Sequence, residues 1–465
     1  MALQSLDRHG LLRLRARMQA SPCVLWLTVF LPLAALYLLT LRTNPMDMSA
    51  DPSAVTPTAW ELAHHWTPRL PASLEPFGYH NDWLIPSGTG QLVSNREPGL
   101  VFLAAPFYWL CSAAGVGNVI PASAAAALLT AAAAATLSLV ARRFVSAEVA
   151  AVAALIAGTA TTTWAVSGTA LWPHGPDQLY LAVSMAGTAS GSFAVSGIAL
   201  AAAILTRPPL AIVAAVTGIW ESLARRRWSP ALTIGACAAA GLVVLLSYSR
   251  TYWSGGLDSQ YAAAGGGFVR PFFDLGPAAV GRFAVNILGT FLSPGRGVLW
   301  GAPFLLVLAP GLRPAWRVAP PWVRSAALGG ALYLIVQLKG NRFSGGDRFW
   351  SYRYPLETLT LLFPLLVIAW NEWACRTPRR RGAFFALVWL SVALQAIGAL
   401  CFRGPYAGKP WLPLDLVAAL IGPRSVVACI LLVVGFFGAG LVYRRCSRRG
   451  CEAVDSGPTA AAPGD

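Results

Sequence analysis

Long apolar runs separated by short polar or basic stretches dominate this chain, and most of the runs have membrane length. An α-helix needs about 20 apolar residues to cross the hydrocarbon of a bilayer. The pattern predicts a first helix over Cys23–Leu41, a second over Ile120–Val140 and a third over Val149–Ser167. A fourth begins near Leu179, a fifth ends near Thr206, and the division between them is blurred by the Gly/Ser-rich stretch Ser184–Ser196. A sixth runs into Arg225, a seventh covers Ala231–Tyr248, and an eighth runs from the Pro294 region to Leu312. The last four are Ala326–Leu338, Pro355–Trp370, Ala383–Cys401 and Val426–Tyr443. Leu100–Leu110 is too short to cross and is read as an interfacial or re-entrant piece.

Arginines fix the orientation, because Arg and Lys favour the cytoplasmic ends of membrane helices. Arg8, Arg13, Arg15 and Arg17 place the N-terminus inside. Arg142-Arg143, Arg225 to Arg227, Arg313 with Arg317 and Arg324, Arg376 to Arg381, and Arg444 to Arg449 all fall on the same side if the chain crosses twelve times. The expected organisation is therefore a cytoplasmic basic N-terminus over 1–22, a membrane domain over 23–443, and a small, polar, disordered cytoplasmic tail over 444–465. The first apolar run is too long for a signal-peptide core and lacks a small-residue cleavage site, so it is read as an uncleaved helix.

One stretch breaks the apolar pattern. Residues 43–106, the first extracytoplasmic loop in this topology, hold about a third of the chain's acidic residues and three of its five histidines. Composition supports the membrane setting. The 465 residues are 56% hydrophobic and 12% charged, with a mean hydropathy of +0.57. The net charge of +16 does not point to nucleic acid, since the arginines cluster between apolar spans instead of lining one face. The eight cysteines are scattered without a CxxC pair, and suggest neither a metal site nor a disulfide framework.

Candidate chemistry lies at the ends of these helices. Arg96, Arg207, Arg296 and Arg353, from four different loops, are placed to converge on one anion at the membrane boundary, where guanidinium forks suit phosphate. The competing reading is that each snorkels or pairs with a local acid. Asp47 and Asp51 follow the first helix closely, and a carboxylate there can serve as a general base. Asp51, before Pro52, can equally cap the helix that carries Trp60 and His64. His64, His65 and His80 fit no metal spacing, and packing against Trp60 and Trp66 is the simpler account. His174 either orients a substrate or hydrogen-bonds its own loop.

At these residues the chain resembles bacterial GT-C class membrane glycosyltransferases of the protein-mannosyltransferase and aminoarabinose-transferase group. The resemblance covers roughly Asn44 to Trp370. It rests on the first-loop aspartate, Ser94-Asn95-Arg96-Glu97-Pro98-Gly99 leading into Phe102 to Tyr108, Gly158-Thr159, Trp164, Ser167, Leu171 to Pro176, Thr206-Arg207-Pro208, Leu292 to Gly297, and Gly345-Gly346-Asp347 through Arg353-Tyr354 to Glu357. It implies an all-α polytopic GT-C-like fold with about twelve transmembrane helices and a long first outer loop carrying interfacial helices.

The resemblance further implies transfer of a sugar from a polyprenyl-phosphate donor to a hydroxyl of a lipid, glycan or protein, on the extracytoplasmic face of the cell membrane, in cell-envelope glycan synthesis. Asp51 takes the position of the catalytic acid in the first loop, with Asp47 as the alternative. Arg207, Arg296 and Arg353 are expected to neutralise the departing phosphate. Arg96, His174 and Tyr354 are lesser contacts, and Trp60, Trp66, Trp83 and Trp109 form the sugar platform. Relatives differ on whether a divalent cation, Mg or Mn, assists. The competing functions are a flippase or transporter of a lipid-linked sugar and a non-catalytic partner in envelope assembly.

Overall fold

A computed structural model describes residues 18–19, 21–71, 83–254, 256–257, 273–346, 348–402 and 409–448. The basic residues Arg8 to Arg17, the histidine at 80, Asp347 and the expected disordered tail beyond Arg448 lie outside the described residues.

Ser21 caps the first helix, its Oγ accepting from the Val24 N–H. Pro22 follows at the start of the helix, where a missing N–H costs nothing. This helix, α1, spans Pro22–Leu39 and delivers the chain to α2, Ala50–His65. A ribbon of two antiparallel strands, β1 (Leu84–Pro86) and β2 (Leu92–Ser94), leads into α3, Pro98–Leu110. Then come α4 (Ile120–Ala141), α5 (Ala147–Thr159), α6 (His174–Ala189), α7 (Phe193–Thr206), α8 (Ala211–Arg225), α9 (Ser229–Tyr252) and α10 (Pro277–Leu292). The chain continues as α11 (Pro321–Gly340), α12 (Leu356–Ala369), α13 (Pro378–Leu400), α14 (Leu414–Ile421) and α15 (Ser425–Arg448).

Among the described residues, α1, α4, α9, α13 and α15 are long and apolar enough to cross a membrane, and α3, α5, α7 and α10 are shorter apolar helices. The protein is an all-α integral membrane protein. Two ends of the bundle are defined by bonds between distant segments. At one, Arg142 donates to the Gln19 carbonyl, Arg143 to Ala189 (3.2 Å), Asn371 to Phe144 (3.3 Å) and Arg381 to Cys446 (3.3 Å). At the other, Ser123 donates to the Arg42 carbonyl (3.2 Å) and Thr206 to Asp177, while His174 meets Glu357. Asp47, Asp51 and Arg96 gather at this second end.

The boundaries of several predicted helices shift for identifiable reasons. The blurred region divides at Ser190-Gly191-Ser192, where Gly191 takes φ +78° and ends α6, a backbone angle glycine adopts without penalty. The predicted third helix is α5 followed by a wide π turn over Thr163–Ser167. The predicted eighth helix is not continuous. Short turns at Val298–Gly301, Leu305–Leu308 and Leu312–Val318 replace it, interrupted around Pro303 and Pro310, since proline removes a backbone donor and clashes with the preceding turn. Between α9 and that segment stands α10, which lay inside the predicted outer segment 250–296.

Close packing sets where the loop helices sit. A Cβ at Gly99 would come within 2.7 Å of the Leu205 carbonyl and of Thr206 Cγ2. Only glycine lets the start of α3 touch the end of α7, and that contact brings Arg96 and Arg207 to the same corner. Tyr108, Val55, Ala59 and Leu100 pack α2 and α3 together over the end of α4.

Candidate active site

Asp51 stands in the first turn of α2, and Ser49, not Asp51, occupies the N-cap position. The capping alternative is therefore set aside: the carboxylate points to distant arginines. Asp51 Oδ2 accepts from Arg353 Nη1 at 2.9 Å, and Oδ1 lies 3.5 Å from Arg96 Nη1. The three side chains are 15%, 8% and 19% exposed respectively, so the group is mostly shielded yet open at the Arg96 edge. Burial alone would push the Asp51 carboxyl up; Arg96 and then Arg353 outweigh it and hold the group down at about 2.

Rings fix Arg353. Its guanidinium carbon is 4.5 Å from the centre of the Trp172 ring, 4.9 Å from Tyr354 and 5.1 Å from Phe349, a cage that exploits the attraction of aromatic faces for cations. The Nη2 edge meets Tyr354 Oη at 3.4 Å, and the buried Nε has no hydrogen-bond partner among the described residues. The backbone beside it turns through Gly345 and Gly346 at φ +69° and +92°. A Cβ on Gly345 would sit 2.9 Å from Arg353 Nε. Arg96 is held more loosely: Nε donates to Asn95 Oδ1 at 2.9 Å, and the guanidinium lies 4.4 Å from the Trp83 ring centre.

Beneath this pair is a second, fully enclosed polar group. Arg207 Nη1 donates to Tyr333 Oη at 2.8 Å and lies 3.5 Å from Glu357 Oε1, while its Nε is 3.8 Å from Asp177 Oδ2. His174 Nδ1 meets Glu357 Oε1 at 2.7 Å. His174, Asp177 and Glu357 are buried completely. Buried charges persist only when paired and hydrogen-bonded, and here one arginine serves two carboxylates and a phenol. The guanidinium of Arg207 also lies 5.8 Å from the Tyr354 ring centre, so Tyr354 stands between the two arginines.

The predicted residues thus separate into three groups. Asp51, Arg96, Arg353 and Tyr354 meet, and Arg207 and His174 lie directly behind them. Arg296 does not join. It lies 4.1 Å from the Phe349 ring centre, donates to the carbonyls of Phe349 and Ser351, and pairs with Asp415 at 3.2 Å. It fixes the strap that carries Trp350 to Arg353. Asp47 is in the short turn Pro45–Asp47, whose end is held by Arg42 and Arg348 through the carbonyls of Asp47 and Met48.

Of the four tryptophans expected to form a platform, only Trp83 touches this cluster. Trp60 donates to the Ala114 carbonyl at 2.6 Å and stacks on His64, and Trp66 and Trp109 are exposed away from it. His65 pairs with Glu61 at 2.9 Å. Sequence reasoning did not single out Tyr333 or Asp415, and gave Glu357 and Asp177 no role. The available signal was an ionisable residue inside an otherwise apolar helix, which is costly unless functional or paired.

Among the described residues, a divalent cation does not fit the Asp51 site. Both oxygens of Asp51 already face guanidiniums, and the described residues contain no group of three or more His, Cys, Asp or Glu side chains able to hold a metal.

No protein-family model matches the chain, and no curated protein matches it. Structural matches do exist. The crystal structure of ArnT from Cupriavidus metallidurans in the apo state matches 92% of this chain and 78% of its own, at 17% identity and a TM-score of 0.44. The apo oligosaccharyltransferase of Archaeoglobus fulgidus matches over 91% of this chain at 12% identity and a TM-score of 0.44. The same archaeal enzyme, AglB, in complex with an inhibitory peptide and a dolichol-phosphate, matches over 91% at 12% identity and a TM-score of 0.42. This chain covers 56% of the archaeal enzyme's length. Both are GT-C membrane glycosyltransferases, the class the sequence resembles. At these scores the likeness is distant, and the chemistry has to be read from the side chains of this protein.

Proposed function

We propose that the protein is a membrane glycosyltransferase that moves a sugar from a lipid-phosphate carrier to an acceptor hydroxyl. The observation that carries this reading is one carboxylate, Asp51, held between two guanidiniums at one end of a membrane-embedded bundle. Those are the parts such a transfer needs. The bond between the anomeric carbon and the phosphate oxygen breaks, and its electron pair leaves with the phosphate. The acceptor oxygen forms the new bond to carbon and passes its proton to Asp51. Arg353, Arg96 and, from behind, Arg207 offset the negative charge on the departing phosphate. A lipid phosphate is a good leaving group, so no partner acid is required.

The membrane supplies the setting. In this reading the chain crosses twelve times, the broken segment 298–318 counting once and α10 lying against the outer end of α11 without crossing, so that both termini and all the arginine clusters fall on the cytoplasmic side. Residues 43–106 and the Asp51 site then lie on the extracytoplasmic face, where a lipid-linked donor would reach them from the bilayer. Tyr354 stands between Arg353 and Arg207 at the same cluster, whereas Arg296 acts through the strap it holds. The acceptor belongs to the cell envelope in this reading.

Reconstituted protein tests it, supplied with a panel of polyprenyl-phosphate sugars and acceptors extracted from bacterial envelopes. Transfer by the wild type and its loss in Asp51→Asn support the reading. Movement of the lipid-linked sugar between leaflets without transfer would establish the transporter instead.

A further inference from the structure

The Asp51 carboxylate is not poised to act as it stands. Oδ2 is taken by Arg353 and Oδ1 faces Arg96. The charged groups facing it come from three other segments: Arg96 after β2, Arg353 before α12, and Arg207 between α7 and α8. On its own segment, the turn before α2 is pinned through backbone carbonyls by Arg42 and Arg348. Three cations thus surround one acid, and its affinity for a proton is correspondingly poor. A base in that condition accepts a hydroxyl proton reluctantly.

The same two guanidiniums are the ones an incoming anion meets first. Arg207 is committed behind them to Tyr333, Glu357 and Asp177. A phosphate offers more acceptor oxygens than a carboxylate and matches the guanidinium fork in two-pronged fashion. Taking the function proposed above as given, we propose that the donor's phosphate releases Asp51 by drawing Arg96 and Arg353 away from it, so that the base is available only when a phosphate-bearing donor is bound. Arg96 is the more lightly held partner, anchored by one asparagine bond and one ring, and is the one to swing to the phosphate, whereas Arg353 is caged by Trp172, Phe349 and Tyr354 and turns its fork in place. The arrangement selects for donors with an anionic leaving group and leaves the site idle without one.

Carboxyl labelling tests the gate. The full-length protein in nanodiscs is treated at mildly acidic pH with a water-soluble carbodiimide and an amine, which modify protonated carboxyls, and the Asp51 peptide is quantified by mass spectrometry. Farnesyl phosphate is the probe and farnesol the uncharged control, with binding of each measured on the same samples using radiolabelled lipid. Release of Asp51 towards an ordinary carboxyl should speed its labelling roughly tenfold or more when farnesyl phosphate is bound, whereas farnesol leaves it unchanged. Arg96→Gln should raise labelling without any lipid, and Arg96→Lys should keep it low. Binding of farnesyl phosphate with unchanged or slower Asp51 labelling would overturn the gate while leaving the lipid-phosphate reading intact. So would an Arg96→Gln variant, folded by its thermal transition, that labels like wild type. Absence of binding would remove the lipid-phosphate reading itself, and the gate with it.

Discussion

Arg353 reaches across 302 positions of sequence to bond Asp51 at 2.9 Å, joining the first loop to the start of α12. Stacking on three rings adds a shape requirement to the charge requirement. Arg353→Gln should therefore lower kcat/KM for transfer by about 10²-fold or more, the scale set by removing one preorganised charge-stabilising donor. Arg353→Lys should recover little of it, because an ammonium can neither fork nor stack in the same way. Kinetics of the purified variants check both; recovery by lysine to near wild-type values would contradict the caged-fork account.

Glu357 supports the site from below and is expected to govern stability more than chemistry. Removing one member of a buried, hydrogen-bonded charge cluster costs about 3–5 kcal/mol, and Glu357→Gln takes away the negative charge that His174 and Arg207 both face. Tyr333→Phe removes one bond to a charged donor and should cost about 1.5–3 kcal/mol. Thermal unfolding in detergent should rank Glu357→Gln below Tyr333→Phe and both below wild type.

Much of this was legible in the sequence, and the exceptions have physical causes. Apolar runs located α1, α4, α9, α13 and α15 because lipid imposes a length and a composition on a spanning helix. The broken segment 298–318 escaped because hydropathy is indifferent to Pro303 and Pro310, whereas a helix is not. Arg96, Arg207 and Arg353 stood out as charges at helix ends beside Asp51. Arg296 looked equivalent by that criterion; its partner, Asp415, comes from a distant and unremarked stretch, and no spacing rule links the two. Glu357 and Tyr333 gave weak signals because a single polar residue in an apolar helix does not reveal which helix it faces.

Glycine at 345 should matter out of proportion to its size. Its φ of +69° disfavours any side chain, and a Cβ would lie 2.9 Å from Arg353 Nε and 3.0 Å from Phe349 Cζ. Gly345→Ala should then cost about 1 kcal/mol or more in backbone strain alone, and should displace Arg353 and reduce transfer. Parallel melting and activity measurements check it; an alanine variant equal to wild type in both would mean that the turn does not seat Arg353.

The pH profile carries a sign that can be worked out. In the free protein Asp51 is held down to about 2 by Arg96 and Arg353, against the push of burial. Because the folded value lies below the ordinary one, the stabilisation from this ion pair is complete above about pH 4 and is lost as pH falls towards 2. The donor's kcat/KM, which reports the free enzyme, should show no acid limb from Asp51 above pH 4. The kcat profile reports the complex, and its acid limb should lie higher, since the donor frees the carboxylate. Coincident limbs in the two profiles would contradict the release of Asp51.

The most direct test of the central claim is single-turnover transfer by wild type and Asp51→Asn, each saturated with the same radiolabelled polyprenyl-phosphate sugar. Asparagine keeps the shape and removes the proton acceptor, while leaving Arg353 and Arg96 to hold the phosphate. The account predicts donor binding within a few-fold of wild type and a transfer rate lowered by at least ~10²-fold, the typical worth of a general base. Equal transfer rates at equal occupancy would show that Asp51 is not the base and that the chemistry lies elsewhere.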